Sequence, residues 1–155
     1  MKKIMSVALA TLLLSVFVPI TATAEATTQT LTFEDECMDL DTGIVENSCQ
    51  DPSSDEPSWD VLVAHNTDRS VHSAIFPNAR SNVEISHLVN KTFEQVTVDD
   101  IASASFMKDA IDEPFDTTLV ILIRTDLGAV YKLGNATEDE NGLNFDYEIL
   151  SPCSQ

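Results

Sequence analysis

Apolar and polar residues alternate with a period of two along much of the chain, a pattern typical of half-buried β-strands. Two of the predicted apolar strand faces each include a histidine: Trp59, Val61, Val63 and His65 form one, and Val83, Ile85, His87 and Val89 form the other. No segment has a long apolar period of 3.6 residues, so one or two short helical turns are predicted at most. One turn is expected after Thr97, which can cap it, with Asp99 and Asp100 at its positive end.

The strongest strand prediction falls on residues 118–125, an apolar run rich in β-branched residues. Asp126-Leu127-Gly128 predicts a hairpin turn, residues 129–133 the returning strand, and residues 143–150 a last strand. Residues 120–123 are apolar at consecutive positions, so we expect them inside a sheet with both faces covered. The predicted fold is all-β, either a single antiparallel β-sandwich or a curled barrel-like sheet with one or two short helical turns.

The first 24 residues have the pattern of a secretory signal peptide. Lys2 and Lys3 precede an apolar run, and Ala22-Thr23-Ala24 has the small residues of a cleavage site. An uncleaved membrane anchor is disfavoured, because the run is about 17 residues and a spanning helix needs roughly 20. We therefore expect cleavage after Ala24, export to the periplasm or the cell exterior, and no stable membrane span afterwards. The predicted organisation is a signal peptide at 1–24, a loose lead-in at 25–36 and one β domain at 37–155. Within the lead-in, the alternation at residues 30–33 predicts a short strand.

The chain is strongly acidic, with 26 Asp and Glu against eight Lys and Arg. Loss of Lys2 and Lys3 with the signal peptide leaves six basic residues and a net charge of −20. Such a surface repels nucleic acid and anionic membranes, whose binding depends on Lys and Arg. The simplest reason for the charge is solubility, and the alternative is attraction of cations or a basic partner. The partner class is left as a small ligand or a protein.

Three cysteines follow the signal peptide, and an exported protein can keep a disulfide. Cys37 and Cys49 would close a short loop, worth roughly 3 kcal/mol in the chain-entropy model. Cys153 would then be the free thiol, although the spacing alone also permits Cys153 to pair with either of the others.

Acidic residues at 39–46 suggest a calcium-binding loop. Asp39, Asp41 and Glu46 place carboxylates around Gly43, and Ca²⁺ is bound by six to eight oxygens. The simpler interpretation is a solvent-exposed charged edge in an acidic chain. Catalysis has no comparable support, because the chain lacks a G-x-S-x-G nucleophile motif, an H-E-x-x-H zinc motif and a glycine-rich phosphate loop. The sequence therefore predicts a non-enzymatic protein.

Four motifs in order carry a family resemblance: Asp39-Leu40-Asp41-Thr42-Gly43, Ser58-Trp59-Asp60-Val61, Phe93-Glu94-Gln95-Val96-Thr97, and ILIRTDLGAVYKL at residues 121–133. This order resembles the HmuY-like family of secreted bacterial haem-binding proteins. The glycine-rich stretch that such proteins tend to carry after the WD strand is absent, since residues 66–82 contain no glycine. The resemblance implies a secreted haem carrier, whereas the alternative is a structural or adhesive surface module with calcium-binding acidic loops.

The haem hypothesis makes a direct prediction about His65 and His87. Both fall on apolar strand faces, and two imidazoles can hold haem iron, although a lone histidine in such a place more often packs at a sheet margin. If the two bind one iron, titration of the mature protein with hemin gives a sharp Soret shift at one-to-one stoichiometry. The absence of a shift up to tens of micromolar hemin would exclude them as ligands.

Overall fold

The fold is an all-β sandwich of two antiparallel sheets, seen here in a computed structural model that describes residues 25–32, 36–46, 49, 59–65, 73–78, 81–111, 118–140 and 142–153. In chain order the strands are β1 (Thr27–Thr32), β2 (Cys37–Asp39), β3 (Ile44–Glu46), β4 (Val61–His65), β5 (Ser73–Pro77), β6 (Glu84–Val89), β7 (Leu119–Arg124), β8 (Val130–Glu138) and β9 (Gly142–Ser151). The larger sheet has the order β1-β9-β8-β7-β6, and the smaller has the order β3-β2-β4-β5.

One apolar core lies between the two sheets. Its fully buried side chains come from both sheets: Leu31, Ile85, Ile121, Ile123, Leu133 and Phe145 from the larger, and Met38, Val61, Val63 and Ile75 from the smaller. These residues recur at every second position of their strands, so the period-two pattern of the sequence is the pattern of the core-facing sides.

A single segment joins the edges of both sheets. Met107 exchanges two backbone hydrogen bonds with Ile85 on β6, at 2.7 and 2.8 Å. Four residues later, Ile111 exchanges two backbone hydrogen bonds with Ile75 on β5, at 3.0 and 3.1 Å. Within the described residues, this segment therefore contributes two isolated bridges and no strand of its own.

The consecutive apolar residues of β7 are buried on both faces, as their sequence predicts. Ile121 and Ile123 face the core between the sheets, whereas Val120 and Leu122 face a second apolar cluster with Val96. This outer cluster is covered by the connection that carries two short 3₁₀ helices, Phe93–Gln95 and Val98–Ser103. Because apolar side chains cover both faces of β7, its residues are apolar at consecutive positions.

Lys132 fastens this outer layer to the larger sheet. It is buried on β8, where its Nζ donates to the carbonyl oxygen of Phe93 at 3.0 Å and pairs with the Glu148 carboxylate at 3.1 Å. The ammonium group also lies 4.3 Å from the centre of the Phe93 ring. Hydrogen bonds and an ion pair together compensate the burial of this charge.

The two local predictions about turns are confirmed. Thr97 precedes the second 3₁₀ helix, and its N–H donates to the Asp100 carboxylate at 3.0 Å. The hairpin between β7 and β8 turns at residues 126–128, where Gly128 has a φ of +85° and Thr125 N–H donates to the Ala129 carbonyl at 2.9 Å. Both turns follow from short-range hydrogen bonding, which is why local sequence was sufficient.

The prediction of a loose lead-in is wrong for residues 27–29, because β1 extends over Thr27–Thr32 and begins three residues before the strand predicted at 30–33. This strand pairs with β9 over six residues, from Thr27 opposite Tyr147 to Thr32 opposite Gly142. The approach is close, because a Cβ atom at Gly142 would lie 2.3 Å from the Leu31 carbonyl oxygen. Residues 27–29 are polar and are held at the sheet edge by backbone hydrogen bonds, so the apolar pattern did not reveal this half of the strand.

The disulfide between Cys37 and Cys49 is present, with the two Cα atoms 5.9 Å apart, and Cys153 is a free thiol. Of the pairings that spacing permits, the structure therefore has the one that closes the short loop. The predicted signal peptide at 1–24 lies outside the described residues. Within the part of the chain that is described, no helix is long and apolar enough to cross a membrane.

Candidate cation site

Three aspartates meet at one end of the smaller sheet. Met38 on β2 pairs with Val61 on β4, so the same antiparallel register places Asp39, the last residue of β2, opposite Asp60, which directly precedes β4. Asp41 follows in the turn between β2 and β3. One carboxylate oxygen from each of the three lies within 4.8 Å of the other two.

The turn after β2 brings Asp41 to this group. Asp39 Oδ1 accepts the backbone N–H groups of Asp41 and Thr42, at 2.9 and 3.1 Å, and the Asp39 carbonyl accepts the N–H of Gly43 at 2.8 Å. An aspartate that bonds to the backbone two residues ahead is a local turn former. The same side chain therefore shapes the turn and contributes to the acidic group.

Asp60 is the buried member, with 3% of its surface exposed. Its Oδ2 accepts the N–H of Leu40 at 2.8 Å, across the gap between β2 and β4. Burial raises the pKa of Asp60 to about 7; the Leu40 hydrogen bond opposes that rise, and the negative charges of Asp41 and Asp39 reinforce it. Near neutral pH the folded protein therefore holds Asp60 close to its midpoint between acid and carboxylate.

The larger sheet supplies hydroxyl groups to the same place. Tyr131 on β8 donates its hydroxyl to Asp41 Oδ1 at 3.3 Å, and the Thr125 hydroxyl lies beside the same carboxylate. Burial raises the pKa of Asp41, the two hydroxyls lower it, and the charge of Asp39 raises it further. Burial and the Asp41 carboxylate in turn raise the pKa of Tyr131. The acidic group thus lies at the junction of the two sheets.

Oxygen atoms remain for a ligand. Among the described residues, the second oxygen of Asp39 and the second oxygen of Asp60 accept no hydrogen bond. The Thr125 hydroxyl is buried and also lacks a hydrogen-bond partner of normal geometry there. These oxygens lie close together, are partly buried and accept no hydrogen bond from the described residues. A cation placed among them would therefore be stabilised.

The structure unites part of the predicted calcium set and separates the rest. Asp39 and Asp41 lie together as expected, whereas Glu46 is exposed at the far end of β3, opposite Cys37, and is outside the group. Its place is taken by Asp60, which sequence reasoning did not assign to a site. The sequence did offer one indication of Asp60. This charged residue stands between Trp59 and an apolar strand, in a place where a charged side chain is unusual.

The two histidines of the haem hypothesis lie in different sheets. The backbone of His65 ends β4 opposite Ser73, and His87, which is half-buried, lies on β6 opposite Ile121. His65 is five residues along β4 from Asp60, or roughly 16 Å for an extended strand. In the smaller sheet, the backbone of His65 therefore lies at the end of β4 away from Asp60.

No protein-family model, no curated protein and no solved structure matches this chain.

The raised pKa of Asp60 predicts a pH dependence of stability in the metal-free protein. From about pH 4 to about pH 7 the folded protein keeps the Asp60 proton while the unfolded chain releases it near pH 3.8. This contribution is full below about pH 4 and is lost as the pH rises to about 7, on the order of 3 kcal/mol. Urea unfolding in EDTA should therefore show Asp60→Asn gaining stability relative to wild type over this range.

Asp109→Asn, at an exposed aspartate, is the matched control and should follow the wild-type pH profile. Parallel profiles for Asp60→Asn and the wild type would contradict a proton held at Asp60.

Proposed function

We propose that this protein is an exported β-sandwich module that binds a calcium ion through Asp39, Asp41 and Asp60. The observation that carries the proposal is the convergence of three carboxylates within 4.8 Å, one of them buried. The charges that act on Asp60 most strongly are those of Asp41, Asp39 and Asp126, all of the same sign. A cation removes this repulsion, which otherwise requires a proton on one of the acids.

The ligand chemistry favours calcium among common cations. All three side chains offer hard carboxylate oxygens, and no nitrogen or sulfur ligand belongs to the group. Ca²⁺ accepts carboxylate oxygens at about 2.3–2.6 Å in flexible geometry, whereas Mg²⁺ needs bonds of about 2.0–2.1 Å in near-ideal octahedral order. Zinc prefers histidine and cysteine in tetrahedral order.

The setting suits a calcium-stabilised protein that works outside the cytosol. A disulfide between Cys37 and Cys49 fits an oxidising compartment, as does the predicted signal peptide. Extracellular modules bind calcium with dissociation constants of about 0.1–1 mM. An ion held at the junction of the sheets would stabilise the folded state wherever calcium reaches such concentrations, and the acidic surface would attract it.

Haem binding by His65 and His87 remains a second proposal. It is supported by the order of the four sequence motifs, and the backbone of His65 lies at the end of β4 away from Asp60, so a ligand there need not compete with the cation. The two proposals can therefore be tested separately, since hemin titration reports on the histidines and calcium titration on the aspartates.

Calcium should raise the melting temperature of the mature protein. With 10 mM CaCl₂ in place of EDTA at pH 7.5, we expect an increase of about 3–10 °C, because the ion binds only the folded state. Asp39→Asn with Asp41→Asn should abolish the increase, since the doubly substituted group keeps one carboxylate. Equal concentrations of MgCl₂ should raise the melting temperature less.

Glu46→Gln is the matched control, because it removes an acid from the same turn region but not from the group. Its calcium-dependent increase should equal that of the wild type. The proposal is wrong if wild type shows no calcium-specific increase, or if Glu46→Gln loses as much of it as the double variant.

A further inference from the structure

Thr125 connects the acidic group to the larger sheet. It follows β7 directly and holds the hairpin, since its N–H donates to Ala129 and its carbonyl accepts the N–H of Gly128 at 3.0 Å. Both main-chain groups are therefore fixed by the turn, and the side chain is placed with them. Only 2% of the residue is exposed.

The hydroxyl of Thr125 is buried without a hydrogen-bond partner of normal geometry among the described residues. It lies near enough to the Asp41 carboxylate to affect it. A buried hydroxyl without a partner is unfavourable, and such groups in folded proteins need an explanation. A bound cation that is coordinated by the lone pairs of this oxygen would explain why it is buried there.

We propose that the Thr125 hydroxyl oxygen is a further ligand of the cation bound by Asp39, Asp41 and Asp60, so that one ion joins the two sheets of the sandwich. This inference rests on the proposed function and extends it. The carboxylates belong to the β2 and β4 region of the smaller sheet, whereas Thr125 belongs to the β7–β8 hairpin of the larger. A neutral oxygen is an acceptable calcium ligand and adds no further negative charge to three carboxylates.

Substitutions of Thr125 can show whether its side chain binds the ion or serves only in packing. Thr125→Val keeps the shape and removes the oxygen, whereas Thr125→Ser keeps the oxygen and removes a methyl group. Calcium affinity is measured by isothermal titration calorimetry and by the emission of Trp59, the one tryptophan of the chain, which adjoins Asp60. We expect Thr125→Val to bind calcium at least fivefold more weakly, and Thr125→Ser to remain within twofold of wild type.

Metal-free stability gives the second readout. In EDTA, Thr125→Val should melt within a few degrees of wild type, because the hydroxyl it removes makes at most a weak contact with the Asp41 carboxylate and no hydrogen bond of normal geometry. If Thr125 acted only in packing or hydrogen bonding, its replacement would instead lower the melting temperature in EDTA. Thr125→Ala, which also lacks the hydroxyl, is measured in parallel, so that hydroxyl removal can be judged if the valine variant does not fold.

The outcomes distinguish the two proposals. If wild type binds calcium and the variants without the hydroxyl bind it equally well, Thr125 is not a ligand, and the three-aspartate site stands without it. If wild type binds no calcium, both the site and the role of Thr125 are wrong. Weaker binding in both Thr125→Val and Thr125→Ala, with near-normal binding in Thr125→Ser, supports the ligand role.

Discussion

The packing of two sheets around one apolar core is the constraint on which the other features depend. Ile121 and Ile123 from the larger sheet share one core with Val61 and Val63 from the smaller, and this packing fixes how the strand ends are placed. At one end, the register of β2 against β4 sets Asp60 within the core margin, where it has little contact with water. The burial of apolar side chains thus holds the Asp60 carboxylate in a place where its negative charge destabilises the folded state.

Electrostatics then decides what that end of the sandwich can do. Asp60 shares its surroundings with Asp39 and Asp41, and each negative charge raises the free energy of the others. A proton relieves one charge, whereas a divalent cation relieves two and can use oxygens of both sheets. The same arrangement therefore accounts for the raised pKa of Asp60 and is the basis of the proposed calcium site. Cation and proton compete for the same oxygens, so calcium binding should release a proton.

The sequence predicted the elements more completely than the site. The period-two pattern and the two-sided apolar run at residues 120–123 identified strands, sheet interior and hairpin, because each depends on neighbours in the chain. The first half of β1, residues 27–29, was missed, since its pairing with β9 is specified by backbone atoms more than 100 residues away. The site was half predicted for the same reason. Asp39 and Asp41 are two residues apart, but Asp60 and Thr125 join them only through sheet register and packing.

The central claim is that a calcium ion lies among these oxygens and joins the sheets. A crystal structure of the mature protein grown with calcium, with anomalous data to identify the ion, tests it most directly. The predicted result is one anomalous peak within about 2.3–2.6 Å of oxygens from Asp39, Asp41 and Asp60, with the Thr125 hydroxyl in the same shell. Calcium found only at exposed carboxylates elsewhere, with water between the three aspartates, would contradict it.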